Sequence, residues 1–392
     1  MPDHDRIDAE TAAGRLGVSR ATLYAYVSRG LIAAVPHPDD PRRRLYRAGD
    51  VERLSRGKSQ SRRPRDVAAR ALDWGLGALP SAITLIESGR LYYRGRDATV
   101  LAETATLEAA ARLLWACGTD DPFAEPPGRI ARLPAALDRL DPLDRCRALL
   151  PALAPRVPAT WGRQSSRLRA DGALVLRALA ACVLGVKPGA DPIHRQIASA
   201  WRMDGRGAET LRAALVLLAD HELNASAFAA RVVASTGASL AAAVGAGLAA
   251  LQGPRHGGAT ALVEGLFEEM QRRGEAAAAV RRWLGRAEAL AGFGHPLYPD
   301  GDPRARFLLD RLKPDAARSR LLAAVDDLAG VGPNIDFALV AMRRALGLPE
   351  GSAIALFAVA RSVGWIAHAL EQHQQGKLIR PRAAYVGPPP TV

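Results

Sequence analysis

The sequence predicts a largely helical protein of two or three structural units, the first of them a small helix–turn–helix. Three observations carry this. Its 392 residues can bury a large core and are long for a single domain. Hydrophobic residues make up 48% of the chain but aromatic ones only 5%. Ala, Leu and Val must therefore pack the core, and Ala–Leu runs with interspersed Arg favour helices. Clear alternation is confined to SAITLIESGRLYYRGRDATVLAE (81–103), which turns at Gly89 and suggests a small hairpin. No repeat of 20–50 residues stands out.

The first unit spans residues 1–55. Asp8 can cap a helix over DAETAAGRLG that ends at Gly17, and Ser19 can cap a second over SRATLYAYVSRG that ends at Gly30. The corner between them has helix–turn–helix spacing. Ala12, Leu16, Val18, Leu23 and Val27 can bury between the helices, leaving Ser19, Arg20, Thr22 and Tyr26 facing outward. AAVPHPDDPRRRLYRAGDVERL then reads as two extended pieces around a Pro–Asp loop, a wing, with a trailing helix. The segment resembles the winged helix–turn–helix module of the MerR family. The resemblance implies DNA binding, with Arg20, Thr22 and Tyr26 reaching bases or phosphates in the major groove and Arg42, Arg43 and Arg44 gripping the backbone. The alternative is a small helical module that docks on protein. Residues 56–72 read as a basic, polar linker.

The net charge of +13 is weak evidence for a polyanion partner, because 49 of the 53 basic residues are Arg and Arg–Ala richness follows base composition. Clustering is stronger evidence: residues 42–65 carry nine Arg and Lys58 against Asp50 and Glu52, a local net of +8. The opening MPDHDRIDAE lacks the apolar stretch of a signal peptide, and the sequence reading finds no run of about 20 apolar residues. Cys117, Cys146 and Cys182 are widely spaced and odd in number, which suggests neither a disulfide framework nor a metal cage. The expectation is a cytoplasmic protein with reduced thiols, no bound metal and no membrane association.

The second half carries the chemistry. In ALVLLADHELNASAFAARVVASTGASL, read as one helix, Asp220, His221, Glu222 and Asn224 form a polar cluster among apolar neighbours. On composition alone, His221 could equally be a satisfied core histidine. In GPRHGGA, His256 sits on a turn between helix stops, where a neutral imidazole can donate to an oxygen that gains charge. In GFGHPLYPDGDPRA, His295 can polarise a carbonyl, and Arg304 can fork onto a carboxylate. In GPNIDF, Asp336 follows a restricting Pro333 and precedes a helix; alone it would pass for a turn residue. In FAVARSVGWIAHALEQHQQ, Arg361 lies inside an apolar helix, which is costly unless it meets an anion, either a nearby Asp or Glu or a ligand. His368 and His373 read as solvated or structural helix residues, with no functional role.

These motifs, in this order, resemble the citrate synthase family, as do the Tyr93-Arg94-Gly95 signature after the hairpin, the DHE.NAS pattern at His221 and the RPR segment at Arg380. The resemblance runs from about residue 73 to the end. It implies an all-α, two-domain citrate synthase-like fold, here preceded by the small winged helix–turn–helix domain. The large domain would comprise 73–257 and 348–392, and the small domain 258–347. It further implies a homodimer that condenses acetyl-CoA, or another short acyl-CoA, with oxaloacetate in the tricarboxylic acid cycle. Asp336 would be the base, His256 would hold the enol oxygen, and His295 would polarise the ketone. His221, Arg304 and Arg361 would bind the acceptor, joined by Arg380 from across the dimer interface. Acyl-CoA would be a substrate, and no cofactor is implied.

The chain departs from the family pattern at Arg255 (usually Leu), Thr260 (usually Asn) and Pro296–Leu297, which bears on substrate fit. Two other readings stand beside this one: a 2-methylcitrate synthase using propionyl-CoA, and a non-catalytic regulator that senses CoA esters or oxo acids. One methylene is worth only ~1–3 kcal/mol in a pocket, so the sequence does not separate the two donors. A sensor has no need of Asp336.

Overall fold

The computed structural model describes residues 6–16, 18–28, 31–37, 40–52, 79–127, 139–153, 155–286, 290–383 and 385–390. Contacts divide the chain into one unit of Met1–Pro80 with Arg382–Val392 and a second of Ser81–Pro381. The expected linker at 56–72 lies outside the described residues.

In the first unit, α1 (Ala9–Leu16) and α2 (Arg20–Ser28) precede a sheet of β1 (Arg6–Ile7), β2 (Ala34–His37) and β3 (Asp40–Arg47), ordered β1-β3-β2 and antiparallel throughout. Asp8 Oδ1 accepts from Thr11 N at 2.8 Å and Ser19 Oγ from Thr22 N at 3.3 Å, so both helix starts are capped as the sequence suggests. A core of Ala12, Leu16, Leu23, Ile32, Tyr46 and Val51 closes the unit. Tyr26, expected to face outward, is instead half-buried against this core. Arg44 is exposed. The side chains of Arg20, Arg42 and Arg43 lie outside the described residues.

The second unit opens with the expected hairpin, β4 (Thr84–Glu87) and β5 (Arg90–Tyr93), extended by β6 (Arg96–Asp97). Both connections are two-residue turns with positive φ throughout: Ser88 and Gly89 at 52° and 71°, Arg94 and Gly95 at 45° and 80°. That is the turn whose twist matches paired strands, and it accounts for the Arg–Gly of the signature. Helices follow: α3 (Ala98–Thr104), α4 (Leu107–Leu114), α5 (Pro142–Ala152), α6 (Ser165–Leu184), α7 (Ile193–Ala200), α8 (Gly205–Leu218), α9 (Ala225–Ala234), α10 (Leu240–Leu251), α11 (Ala259–Arg273), α12 (Ala276–Leu284), α13 (Pro303–Leu309), α14 (Ala316–Ala329), α15 (Ile335–Ala345) and α16 (Ser352–Gln375).

Helix α16 is the axis of this unit and packs against α4, α5, α6, α8, α9 and α10. With a mean hydropathy of 1.6 over an 18-residue window it is long and apolar enough to cross a membrane, which the sequence reading did not register. Yet 94% of that window is buried inside the protein. An all-round apolar helix is what the centre of a large bundle requires. Gly247 of α10 makes room for it: a Cβ there would lie 2.5 Å from the Trp365 ring. None of the three cysteines is in a disulfide, and Cys146 and Cys182 meet between α5 and α6. No group of three or more potential metal ligands occurs among the described residues.

Candidate active site

His221 is not on a helix. The segment expected to be continuous breaks between α8 and α9, with Glu222 in the left-handed region (φ 55°). Asn224 ends the break as the cap of α9, its Oδ1 accepting from Ser226 N (3.1 Å) and Ala227 N (3.0 Å). His221 is 7% exposed, and its Nε2 lies 3.0 Å from the Tyr298 hydroxyl. Its ring meets the His295 ring edge-on, with centroids 5.1 Å apart. Burial, then the charges of Arg304 and Arg361, hold its pKa well below the ordinary value, so the ring is neutral.

Two glycine-bearing segments bring His295 beside Asp336. Gly294 N donates to Gly332 O (2.8 Å), and Asn334 N donates to Gly292 O (2.9 Å). Gly292 and Gly294 have φ of 85° and 67°, which a side chain would resist. Asn334 closes the arrangement, its Nδ2 donating to Gly294 O (3.0 Å) and its Oδ1 accepting from Asp336 N (3.0 Å) to cap α15. Leu297 N donates to His295 Nδ1 at 3.2 Å, which assigns the ring proton to Nε2. Burial and the nearby Arg304 push the His295 pKa down to about 4.

Asp336 occupies the first turn of α15, where the helix dipole favours an anion. Burial nonetheless dominates: it raises the carboxyl pKa to about 7, against the lowering charges of Arg304 and Arg361. Its Oδ1 is shielded from solvent and has no hydrogen-bond partner. A carboxyl with one shielded, unsatisfied oxygen and such a pKa meets the condition of a general base.

His256 leaves α10 on a turn that folds back tightly. A Cβ on Gly258 would stand 2.5 Å from Gln252 O and 2.7 Å from Gly253 O, so this glycine serves close backbone approach. His256 Nε2 lies 2.7 Å from Ser226 Oγ, a residue the sequence reading did not single out. Ser226 Oγ accepts from Trp365 Nε1 (3.0 Å) and donates to Asn224 Oδ1 (2.8 Å). That oxygen already accepts two backbone N–H groups. The single serine proton is committed to Asn224, so Ser226 Oγ accepts from His256 Nε2, which places the imidazole proton on Nε2 in the unliganded site. Burial, then Arg361, lowers the His256 pKa to about 4.

The guanidinium groups behave differently from one another. Arg304, 1% exposed, is already forked: Nε donates to Asp302 Oδ1 (2.9 Å) and Nη2 to Oδ2 (2.8 Å). The expected fork onto a ligand is therefore replaced by a buried ion pair with Asp302, which leaves Nη1. Asp302 Oδ2 also accepts from Ile335 N (3.0 Å), tying this pair to the helix of Asp336. Arg361 is also 1% exposed, but among the described residues its hydrogen bond runs from Nε to Leu218 O (2.8 Å), and its guanidinium stacks over Phe357 at 4.8 Å. Burial lowers its pKa to about 10, with Asp220 opposing. Arg380 stands apart on the exposed segment after α16, and a single chain does not bring it to the others. Arg255 is exposed, whereas Thr260 is buried with its hydroxyl donating to Gly257 O (2.9 Å).

His221, His256, His295, Arg304, Asp336 and Arg361 thus share one electrostatic neighbourhood. It consists of neutral imidazoles, two buried cations and a carboxyl poised near neutrality. Comparison with known proteins agrees with this geometry. The family profile described as "Citrate synthase, C-terminal domain" matches residues 71–382. Citrate synthase 2 of Bacillus subtilis is 30% identical over 363 residues, covering 82% of this chain and 96% of that protein. A protein described as putative citrate synthase 2 of Mycobacterium tuberculosis is 41% identical over 201 residues, and the match spans about half of each chain (48% and 53%). The crystal structure of citrate synthase from Thermotoga maritima superposes with a TM-score of 0.66 at 28% identity, covering 81% of this chain and 95% of that one. The chain belongs to the citrate synthase family.

Proposed function

We propose that the chain is an acyltransferase that condenses acetyl-CoA with oxaloacetate to give citrate and free CoA. The observation that carries this is Asp336: a carboxyl with one oxygen, Oδ1, shielded and unpartnered, near its midpoint at neutral pH, on the helix tied to Arg304. The Asp336 carboxylate removes a methyl proton from the acyl-CoA. The His256 imidazole holds the enol oxygen as charge develops. The new carbon attacks the ketone, whose oxygen takes the proton of His295 Nε2. Arg361, the remaining nitrogen of Arg304, and His221 bind the acceptor carboxylates, and a partner subunit supplies Arg380. Water then cleaves the thioester. Residues 258–347 form the lobe whose closure excludes solvent during the reaction.

Free-thiol release from acetyl-CoA, with and without oxaloacetate, in wild type and Asp336→Ala tests this. Release that requires both oxaloacetate and Asp336 supports condensation, and none from acetyl-CoA or propionyl-CoA overturns it. Propionyl-CoA is the rival donor. The chain is 29% identical over 350 residues to 2-methylcitrate synthase 1 of Corynebacterium glutamicum, covering 77% of this chain and 90% of that one. The ratio of kcat/KM for the two donors decides between them.

The first unit carries a second activity, DNA binding, favoured by the net +8 of residues 42–65 and the exposed Arg44 on its hairpin. A gel shift comparing the full chain with one lacking residues 1–65 tests it. Equal binding by both removes the role.

A further inference from the structure

We propose that the β4–β5 hairpin is a clamp that fixes His221 in its pocket, with Thr84 and Tyr93 as positioning residues that act through Asp220. The proposal rests on the reading of His221 as an acceptor-binding group.

The break between α8 and α9 needs holding. It has no helical ladder, and it contains a non-glycine residue with positive φ, Glu222 at 55°. Thr84 and Tyr93 stand directly opposite each other across the hairpin, so their side chains project from the same face. Both reach residue 220. The Tyr93 hydroxyl, fully buried, lies 3.0 Å from Val216 O, 3.1 Å from Leu217 O and 3.2 Å from Asp220 O, and it accepts from Asp220 N at 3.3 Å. One hydroxyl thus lies among the carbonyls at the end of α8 and accepts the first amide of the break. Thr84 Oγ1 donates to Asp220 Oδ2.

Helix α16 closes the other side. His368 Nε2 stands 3.4 Å from Asp220 Oδ1, and Gly364 N donates to Ala219 O at 2.9 Å. Only a glycine fits there, since a Cβ at 364 would lie 2.6 Å from Ala219 O. The hairpin itself is anchored: Arg94 Nε and Nη2 donate to Leu114 O (3.0 and 2.9 Å), and Ala82 N donates to Glu371 Oε1 (2.8 Å). Full burial would drive the Asp220 carboxyl toward neutrality, yet His368, Arg361 and Thr84 hold its pKa below the ordinary value. A polar plug that merely filled the core would spread its bonds. Here they converge on the residue before His221.

The test uses the full chain with histidine-labelled NMR and steady-state kinetics, in wild type, Thr84→Val, Tyr93→Phe, the double variant and Thr84→Ser. In wild type the His221 ring, which faces Tyr298, Arg304, Arg361, His295 and His256, does not titrate in the ordinary histidine range. In the double variant it does, because water reaches the loosened loop, and Thr84→Ser behaves as wild type. The KM for oxaloacetate rises roughly three- to tenfold per lost hydrogen bond, while that for acetyl-CoA stays within about twofold. An unchanged His221 titration in the double variant overturns the clamp, as does an equal rise of both KM values. Tyr93→Phe alone deletes a hydroxyl without loss of packing and decides the matter if Thr84→Val does not fold. Absence of thiol release from wild type would remove the proposed condensation, but the titration would still decide the clamp.

Discussion

Asp336→Asn should abolish thiol release and, at the same time, stabilise the protein, and the second effect should grow with pH. The carboxyl rises from an ordinary 3.8 to about 7 in the folded chain because burial disfavours its charge. A raised folded pKa means that the protonated form favours folding. That stability is fully present below the unfolded pKa and is lost as pH rises through the folded one. A shift of about three pH units corresponds to roughly 4 kcal/mol of instability at pH 8, and about 1.5 kcal/mol of it is already felt at pH 5. Asparagine keeps the shape and carries no charge to desolvate. Its stabilisation relative to wild type should therefore increase by about 2–3 kcal/mol between pH 5 and pH 8, measured by urea unfolding at both values. An equal difference at the two pH values would refute the reasoning, for it would mean that Asp336 ionises in the folded chain as it does in water. Loss of activity without stabilisation at pH 8 would say that Arg304 and Arg361 fully compensate the buried charge.

The same electrostatics set the activity profile: kcat/KM should rise with pH through about 7 as Asp336 ionises, with no additional limb from His256 or His295 above about 5, since both ionise near 4. A histidine-dependent limb at pH 6–7 would contradict the neutral-imidazole assignment. Ser226→Ala should lower kcat by roughly tenfold with little change in either KM, because one hydrogen bond orients the His256 tautomer; an unchanged kcat would show that the ring needs no such support. Gly364→Ala should destabilise by about 2 kcal/mol or more, since the new methyl overlaps Ala219 O and Asp220. A melting temperature within about 1 °C of wild type would show that α16 has slack here.

Much of this was legible in the sequence because it is written in local chemistry. Asp8 and Ser19 announce helix starts, and the alternation around Gly89 announces a hairpin. His256, His295 and Asp336 are each framed by glycine or proline. The failures are of another kind. Asp220 to Asn224 read as helix because the flanking residues are apolar at helical spacing. The break is imposed by bonds from Tyr93, Thr84 and Gly364, which lie far away in sequence. Asp302 was not singled out, and nothing local says that it holds Arg304 and Ile335 N. His368 has no distinguishing neighbours in the chain, yet it is fully buried beside Asp220. Tertiary partners decide each of these cases.

The two arginines explain why the site must wait for its acceptor. Arg304 has its countercharge in Asp302, whereas Arg361 shares only the more distant fields of Asp220 and Asp336. A buried cation supported by one carbonyl and an aromatic face is unfavourable, and its pKa falls to about 10 for that reason. A dicarboxylate that reached Arg361 would relieve this, and by lending negative charge it would push the Asp336 pKa further up. The added cost falls on the base, so the acceptor should stabilise the fold while it makes Asp336 a stronger base for the methyl proton. Oxaloacetate should accordingly raise the melting temperature of wild type, and by less in Arg361→Gln. An equal shift in the two would mean that the ligand binds without Arg361, and the pairing inferred from its burial would be wrong.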